Sequence, residues 1–221
     1  DLYAVAGSSY GMHESQSRLW ENLEGRSHTF WKAHLPVLRA YFPEQLKGVD
    51  HERFYRAVNK VEKSLIRVEA DELTYNFHIL LRVEIEIGLI EGQLKVGDLP
   101  EVWNAKMQEY LGVTPPNDSL GVLQDIHWSA GHFGSFPTYT IGNVMSAQFF
   151  EAALKEPGME EAVNSANYKP LLNWLINNIY LYGRTYSPDQ ILQRTTGSSL
   201  DVKPYLAYIQ HKFDGLFPVQ G

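Results

Sequence analysis

Apolar residues that recur at helical spacing are the strongest constraint on what this chain can fold into. Phe54, Val58, Val61 and Leu65 follow one another at intervals of four, three and four residues. This spacing places them on one face of a helix and predicts a helix over 53–65. Similar patterns, bounded by proline, glycine or capping side chains, predict further helices over 99–111, 140–155, 168–182, 188–196 and 201–216. The sequence therefore predicts an all-α, mainly helical fold.

Three segments depart from simple helical periodicity. Residues 112–121 carry two prolines between flanking glycines, a pattern that predicts a linker. Residues 83–87 alternate apolar and acidic side chains as a half-buried strand does, but the helical spacing just before them favours one long helix from about 72 to 95. The stretch 64–69, between two helical patterns, is a better strand candidate. We expect a very small β element there.

The composition excludes several classes of protein. The chain of 221 residues contains no cysteine, so it has no disulfide, no thiolate nucleophile and no Cys-ligated metal. Its formal charge of −7 argues against nucleic-acid binding, which needs a basic face, and its apolar runs are too short for a membrane span. Nothing resembles a signal peptide, and we expect a cytoplasmic protein. Because the first residue is Asp1, the chain is either a mature end after processing or a piece of something longer.

The sequence lacks the zinc-peptidase motif and the glycine-rich nucleotide-binding motifs. The chain has eight histidines, but neither of its two His-Glu pairs, at 13–14 and 51–52, has a His three residues after its Glu. The H-E-x-x-H motif of zinc peptidases is therefore missing. The glycine-rich phosphate and dinucleotide motifs are missing as well. These patterns alone predict only a helical protein.

Three short strings carry more information when they are taken together and in order. Residues 13–16 are His-Glu-Ser-Gln, residues 66–71 are Ile-Arg-Val-Glu-Ala-Asp, and residues 121–128 are Gly-Val-Leu-Gln-Asp-Ile-His-Trp. They resemble the motifs H-E-[ST]-Q, [IV]-R-x-x-A-D and G-x-x-Q-D-x-H-W of the thermostable zinc carboxypeptidases, the carboxypeptidase Taq family. In that family H-E-x-x-H lies a few tens of residues before H-E-[ST]-Q, whereas only 12 residues precede His13. The chain thus resembles the C-terminal half of such an enzyme.

The resemblance implies a fold, an activity and a metal. The fold would be the C-terminal portion of the helical architecture of neurolysin-like and angiotensin-converting-enzyme-like zinc peptidases, with 1–221 as one helical domain within a larger catalytic domain. The parent enzyme would use zinc to release single C-terminal amino acids. Its expected partners are peptide C-termini, and either a second copy in a homodimer or the missing N-terminal half.

The missing motif shapes what is expected of this chain alone. Two His ligands and the general-base glutamate are not in the sequence, so we expect the chain by itself to bind no zinc and to be inactive. The alternative is a non-catalytic helical protein, with a peptide-binding or structural role, that forms a dimer.

The resemblance also implies roles for particular residues. Glu14 matches the third zinc ligand. Its alternatives are a solvated glutamate in a helix, or a rebuilt site in which Glu14 is joined by His127, by His132 or by a partner chain. Arg67 matches a residue that would bind the terminal carboxylate of the substrate through two parallel hydrogen bonds, with Asp71 beside it. The structural alternatives are an ion pair of Arg67 with Asp71 or a glutamate, and Asp71 as a helix N-cap.

The third string supplies the remaining candidates. Gln124 and Asp125 match the substrate-binding part of the motif. We predict that His127 and Tyr139 are catalytic residues that stabilise the oxyanion formed from the scissile carbonyl. The alternatives are a buried histidine satisfied by Asp125 or a backbone carbonyl, and a core tyrosine at the start of a helix.

Other glycines and histidines receive weaker interpretations. Gly131, Gly134 and Gly142 fit a loop that bends close to a substrate, although turns alone would explain them. His28 and His51 show no metal-ligand spacing along the sequence and are assigned no metal role.

Overall fold

The computed structural model describes residues 6–217, and this part of the chain is helical. Within it there is no β-strand, and no helix has the length and apolar character needed to cross a membrane. The α-helices of the described residues are α1 (Tyr10–Arg18), α2 (His28–Tyr41), α3 (His51–Val58), α4 (Tyr75–Ile90), α5 (Leu99–Leu111), α6 (Pro137–Leu154), α7 (Met159–Asn164), α8 (Lys169–Asn178), α9 (Pro188–Thr196) and α10 (Lys203–Leu216). The prediction of an all-α fold is confirmed.

Shorter helical turns complete the described chain. A π-helix, Leu19–Glu24, continues directly from α1. The 3₁₀-helices are Arg67–Glu69, Val96–Asp98, Asp118–Leu120 and Tyr180–Tyr182.

The described chain forms two compact units. Unit 1 consists of residues 6–59 and 141–217, and unit 2 is the continuous segment Lys60–Thr140. Of the predicted site residues, Glu14 lies in unit 1 and all the others lie in unit 2. The assignment of residues 1–221 to one helical domain of a larger catalytic domain stays a prediction.

Capping side chains and glycines set many of the helix ends. Ser187 caps α9: its side-chain hydroxyl accepts a hydrogen bond from the backbone N–H of Gln190. The side-chain Oε1 of Gln190 in turn accepts from the backbone N–H of Ser187. Gly112 ends α5 with a φ of 65°, in the left-handed region that glycine adopts without strain. The helices predicted over 188–196 and 99–111 are confirmed with these bounds. The other C-terminal helices begin or end within a few residues of the predicted positions.

The long helix expected from about 72 to 95 is shorter in the structure. The helix α4 ends at Ile90, and Gly92 follows with a φ of 73°. The chain then turns back, so that the backbone N–H of Leu94 donates to the carbonyl of Gly88 and the Leu94 side chain packs on that glycine. A Cβ on Gly88 would lie 2.8 Å from Cδ1 of Leu94, which explains why glycine occupies this position.

The small β element expected near 64–69 is wrong. This segment contains the 3₁₀-helix Arg67–Glu69, in which the N–H of Ala70 donates to the carbonyl of Arg67. The N–H of Arg67 donates to the Gln124 side chain, so a side-chain amide occupies the place that a neighbouring strand would take.

The helix predicted over 53–65 also differs. It spans His51–Val58 and ends where the Asn59 side chain donates to the carbonyls of Tyr55 and Arg26.

Each unit has its own apolar clusters. The main cluster of unit 1 joins α1 and the π-helix to α6, α8 and α9. Its members include Leu19, Phe149, Leu171, Trp174 and Leu175. The main cluster of unit 2 packs α4 against α5, with Trp103 and Met107 completely buried beside Leu81 and Ile85. A second cluster in unit 2 gathers Ala70, Tyr75, Ile79 and Phe136 around the segment that carries the predicted site.

Candidate functional site

The candidate site in unit 2 is organised around one carboxylate, that of Asp125. Its Oδ1 accepts hydrogen bonds from Nη2 of Arg67 at 2.6 Å and Nε of Arg67 at 3.1 Å. Its Oδ2 accepts from Nε of Arg82 at 2.7 Å. Both arginines are buried, and Arg82 has no exposed surface. Two cations therefore share one anion, and the three side chains together carry a net charge of about +1 at neutral pH.

Burial and ion pairing shift the pKa values of these three groups in opposite directions. Burial would raise the pKa of Asp125, but the hydrogen bond from Arg67 and the charge of Arg82 hold it below its usual value. Burial lowers the pKa of Arg82 to about 10, although Asp125 partly offsets the effect. For Arg67 the opposing effect of burial is outweighed by Asp125, and its pKa is raised. All three groups are therefore charged at neutral pH.

Aromatic rings surround the two guanidinium groups. The Nη1 of Arg67 donates to the hydroxyl of Tyr75 at 2.9 Å, and its guanidinium carbon lies 5.0 Å from the ring centroid of Tyr139. The guanidinium carbon of Arg82 lies 4.5 Å from the ring centroid of Trp103. Such cation–π contacts are strongest where water is excluded, so the rings help to stabilise the buried charges.

The side-chain amide of Gln124 forms hydrogen bonds with both arginines of this cluster. Its Oε1 accepts from the backbone N–H of Arg67 at 2.9 Å and from Nη2 of Arg82 at 2.7 Å. Its Nε2 donates to the backbone carbonyls of Leu65 and Leu120. These four bonds match the full capacity of an amide side chain, so Gln124 holds Arg67 and Arg82 in position.

Asp71 lies at the entrance to α4 and is engaged in local bonds. Its Oδ1 accepts from the backbone N–H groups of Leu73 and Thr74, both at 2.9 Å, and its Oδ2 accepts from the Thr74 hydroxyl and from the N–H of Glu62. These bonds form a turn just before α4, and the N-cap residue of α4 is Thr74, not Asp71 as the alternative interpretation had it. Neither Asp71 nor a glutamate is the partner of Arg67, which pairs with Asp125 instead.

His127 and Tyr139 meet beside this cluster. The Nε2 of His127 lies 3.0 Å from the Tyr139 hydroxyl, and the His127 ring packs on Phe136 with a centroid distance of 4.4 Å. The Nδ1 of His127 is 3.9 Å from Oδ1 of Asp125, too far for a hydrogen bond. Burial lowers the pKa of His127, and the charges of Arg67 and Arg82 act in the same direction while that of Asp125 opposes them. His127 is therefore neutral at neutral pH.

Glu86 is a buried residue of the site that the sequence analysis did not single out. Its carboxylate accepts from Nε1 of Trp128 at 3.1 Å and from the backbone N–H of Gly134. Gly134 has a φ of 77° and Gly131 a φ of 76°, so both turns of this loop use backbone conformations that favour glycine. Glu86 thus ties both ends of the 128–134 loop, next to His127, to α4.

Glu14 lies in α1, which belongs to unit 1. Its carboxylate accepts from the Ser17 hydroxyl at 3.2 Å and lies 3.7 Å from Nε of Arg18. Gly142, expected in a loop, lies instead inside α6 and contacts Glu14. A Cβ on Gly142 would lie only 2.4 Å from Cβ of Glu14, so the two backbones touch at this point.

Glu14 offers too few donor atoms for a zinc site. A stable zinc site takes three or four protein ligands. Among residues 6–217, one group of three His or carboxylate side chains brings its donor atoms together, and it is formed by His28, His51 and Glu52 rather than by Glu14. Glu14 alone does not fit zinc.

Comparison with known proteins places these observations in a family. The sequence profile described as Carboxypeptidase Taq (M32) metallopeptidase matches residues 1–213. Thermostable carboxypeptidase 1 of Thermus thermophilus is 47% identical over 210 residues, which cover 95% of this chain and 41% of that protein. Carboxypeptidase 1 of Bacillus subtilis is 39% identical over 212 residues, which cover 96% of this chain and 42% of that protein.

Solved structures give the same result. The crystal structure of the M32 carboxypeptidase from Deinococcus radiodurans superposes with a TM-score of 0.92 at 48% identity, over 97% of this chain and 44% of that one. The chain thus spans about two fifths of the length of the curated relatives it matches.

Proposed function

Because the chain belongs to the carboxypeptidase Taq (M32) metallopeptidase family, we propose that it supplies the later part of an active site that releases single C-terminal amino acids from peptides. The observation that carries the proposal is the hydrogen bond between Nε2 of His127 and the hydroxyl of Tyr139, beside the buried Arg67–Asp125–Arg82 cluster. Arg67, Asp125 and His127 matched the family motifs, and Arg82 and Tyr139 lie with them in unit 2.

His127 and Tyr139 are the proposed catalytic residues. Each can present a polar hydrogen to one oxygen atom, because their donor atoms are only 3.0 Å apart. When the carbonyl oxygen of the scissile bond becomes negatively charged, two such donors stabilise it more strongly than they stabilise the neutral carbonyl. Phe136 packs on the imidazole and keeps it in place. The nearby positive charges also favour a developing anion.

Arg67 is the proposed receptor for the terminal carboxylate of the peptide. A guanidinium has five N–H donors, and Asp125 and Tyr75 occupy three of those of Arg67. The remaining donors and the net positive charge of the cluster suit a carboxylate. In this proposal Gln124 and Asp125 position Arg67, and Asp71 shapes the turn before α4, so their part in substrate binding is indirect.

Glu14 is the proposed zinc ligand contributed by this chain. Zinc supplies an activated water in peptidases of this kind. The sequence contains neither the two histidines nor the glutamate of H-E-x-x-H, and Glu14 alone does not fit the metal. We therefore propose that the chain by itself is catalytically incompetent and that the remaining ligands belong to the N-terminal half of the family's catalytic domain.

The proposed partners follow from the same reasoning. Peptide C-termini are the substrate class, and a second copy of the chain or the N-terminal half covers apolar surface of unit 1. Val37, Tyr41 and Phe42, at the end of α2, are each about half exposed or more. Sedimentation of the purified chain, alone and with the N-terminal half of a relative, would measure which partner binds.

The first experiment uses the chain as it is. The purified 221-residue protein would be incubated with Zn²⁺ or Co²⁺ and an N-acylated dipeptide, and the released amino acid measured. We expect no metal-dependent release. Release that a chelator abolishes would contradict the proposed incompetence.

The second experiment tests the residue roles in a complete site. Residues 1–213 would replace the matching part of the Thermus thermophilus relative, and His127→Gln and Tyr139→Phe would be made in the chimera. Each substitution should lower kcat by roughly 10²–10³-fold with little change in KM, because each removes a transition-state donor. Arg67→Lys should mainly raise KM. An active chimera in which His127→Gln keeps full kcat would contradict the assignment.

A further inference from the structure

Three side chains that can bind a metal ion, none of them a motif residue, converge on the surface of unit 1. The Nε2 of His28 lies 2.5 Å from Oε1 of Glu52, and the Nε2 of His51 lies 3.6 Å from the same oxygen. All three donor atoms lie within 4.8 Å of one another. We propose that His28, His51 and Glu52 form a binding site for a divalent metal ion of the zinc class. The site is separate from Glu14 and goes beyond the proposed peptidase function.

The spacing of the donor atoms suits such an ion. Zinc binds imidazole nitrogen and carboxylate oxygen at about 2.0–2.2 Å in a tetrahedral arrangement, which places neighbouring ligand atoms about 3.3 Å apart. The 3.6 Å separation of His51 and Glu52 already has this value within a few tenths of an ångström. His28 and Glu52 would move apart by less than 1 Å as the ion replaces the proton between them.

Helix starts bring the three residues together. His28 is the first residue of α2, and His51 and Glu52 are the first two residues of α3. Ser27 and Asp50 cap these helices by accepting from the N–H groups of Phe30 and Arg53, so both helix starts have a defined geometry. The two histidines are 23 positions apart in the sequence, which is why spacing gave no sign of the site.

Contacts with residues of α3 fix the position of the His28 side chain. The His28 ring lies edge to face against His51, at a centroid distance of 5.0 Å, and against Tyr55, at 5.3 Å. One turn further on, the Asn59 side chain donates to the carbonyl of Arg26, just before α2. Residues 51 and 55, on one face of α3, and Asn59, which caps the end of α3, therefore all contact the start of α2 or the residues just before it. A site framed in this way needs little rearrangement to bind an ion.

The site opens onto a cavity. His28 and Glu52 line a hollow of about 400 Å³, and His211 and Lys212 of α10 line it as well. A His₂–carboxylate set supplies three ligands and leaves a position for water or for another oxygen ligand, as catalytic zinc sites do. Lys212 would favour an anionic group such as a carboxylate at that position, and its Nζ donates to the Tyr208 hydroxyl at 3.0 Å.

The ordinary alternative is a histidine–glutamate ion pair at the surface. His28, His51 and Glu52 have side chains that are 40%, 39% and 55% exposed, so the pair needs no metal to be satisfied. The alternative predicts no metal binding at all, whereas the proposed site predicts one ion for each chain.

Cobalt and zinc titrations of the full chain distinguish the two. The metal-free protein would be titrated with Co²⁺, followed by its visible absorption, and the Co²⁺ displaced with Zn²⁺; elemental analysis after desalting would give the stoichiometry. We expect one ion per chain with the intense visible band of four-coordinate Co²⁺. Absence of binding by the unmodified chain would overturn the proposal.

Matched variants locate the ion. His51→Ala and Glu52→Gln should each weaken binding by at least about tenfold, since even outer partners of metal ligands contribute that much. Glu14→Gln should keep the ion, which separates this site from the proposed peptidase zinc, and His132→Ala controls for loss of an exposed histidine. Circular dichroism would verify that each variant folds. If Glu14→Gln lost the ion and both His51→Ala and Glu52→Gln retained it, the assignment would be wrong.

Discussion

The fully buried guanidinium of Arg82 donates from Nε to Oδ2 of Asp125 at 2.7 Å, and it is the deepest charge of the candidate site. The same carboxylate also binds Arg67 through its other oxygen. One carboxylate of the family motif is thus the shared counter-ion of two cations that lie on different segments of unit 2. Both the stability of unit 2 and the position of the Arg67 side chain therefore depend on Asp125.

Removal of Asp125 should be strongly destabilising. Asp125→Ala leaves two buried guanidinium groups with no counter-charge, and loss of one partner from a buried ionic network typically costs about 3–5 kcal/mol. Urea unfolding at pH 7 would measure it. Asp118→Ala, at an exposed position of unit 2, is the control and should change the free energy of unfolding by less than about 0.5 kcal/mol. Equal effects of the two substitutions would refute the ionic interpretation.

Glu24 should make the protein less stable as the pH rises. Burial raises the pKa of Glu24 from 4.5 to about 7. The native state therefore keeps its proton between these values while the unfolded chain loses it, so stability falls from pH 4.5 to 7 and then levels off. At pH 8, Glu24→Gln should be more stable than the unmodified chain by about 3 kcal/mol, since one pKa unit corresponds to about 1.4 kcal/mol. Chemical unfolding at pH 5 and 8 would measure this, with exposed Glu44→Gln as the control.

His78 should make the protein more stable as the pH rises, which is the opposite of the Glu24 effect. Burial lowers the pKa of His78 from 6.5 to about 4, with Arg82 and Arg67 adding to the effect. Its contribution to stability is present above pH 6.5 and is lost as the pH falls towards 4, because the unfolded chain binds the proton first. The stability advantage of the unmodified chain over His78→Asn should shrink by about 2 kcal/mol between pH 7 and 5. His132→Asn, at an exposed position, should show no such change.

In the unmodified chain, the contributions of Glu24 and His78 to the pH dependence of the free energy of unfolding should nearly cancel. Their slopes have opposite signs between pH 4.5 and 6.5. Each variant should therefore be compared with the unmodified chain at every pH. A difference that stays constant with pH for either variant would contradict the assigned shift.

Gly142 should tolerate no side chain. Because its Cβ would lie 2.4 Å from Cβ of Glu14, Gly142→Ala must push α1 away from α6, at an expected cost of about 1–3 kcal/mol. Gly215→Ala is the matched control in α10, where a Cβ meets nothing within 4 Å, and should instead stabilise by up to about 1 kcal/mol. Thermal or urea unfolding of both variants would show opposite signs.

The sequence predicted the fold class well because helix signals are local. Ser187 with Gln190, and Gly112, mark helix ends through atoms only a few residues apart, and α9 and α5 have the predicted bounds. The segment around Arg67 was misjudged because its conformation depends on Gln124, a partner far along the chain that no local pattern reveals.

The candidate site was predictable only where a family motif names the residue. In the sequence, Glu86 belongs to the segment 83–87, in which apolar and acidic side chains alternate. In the structure it is buried and accepts hydrogen bonds from Trp128 and Gly134. Arg82 received no interpretation because its partner Asp125 follows 43 residues later. A charged residue on a helix looks solvent-exposed in the sequence unless its distant counter-ion is known. The roles of Glu14, Arg67, Asp71, Gln124, Asp125, His127 and Tyr139 stay predictions.

The division of unit 1 into two stretches of chain has a consequence for biosynthesis. Met12 and Leu19 pack on side chains of α6, α8 and α9, all of which emerge from the ribosome after unit 2. Unit 2 is continuous and has its internal contact partners within one segment, whereas α1 gains its contacts with α6, α8 and α9 only after those helices have been synthesised. That interval is when chaperones would bind this protein and when aggregation would compete with folding.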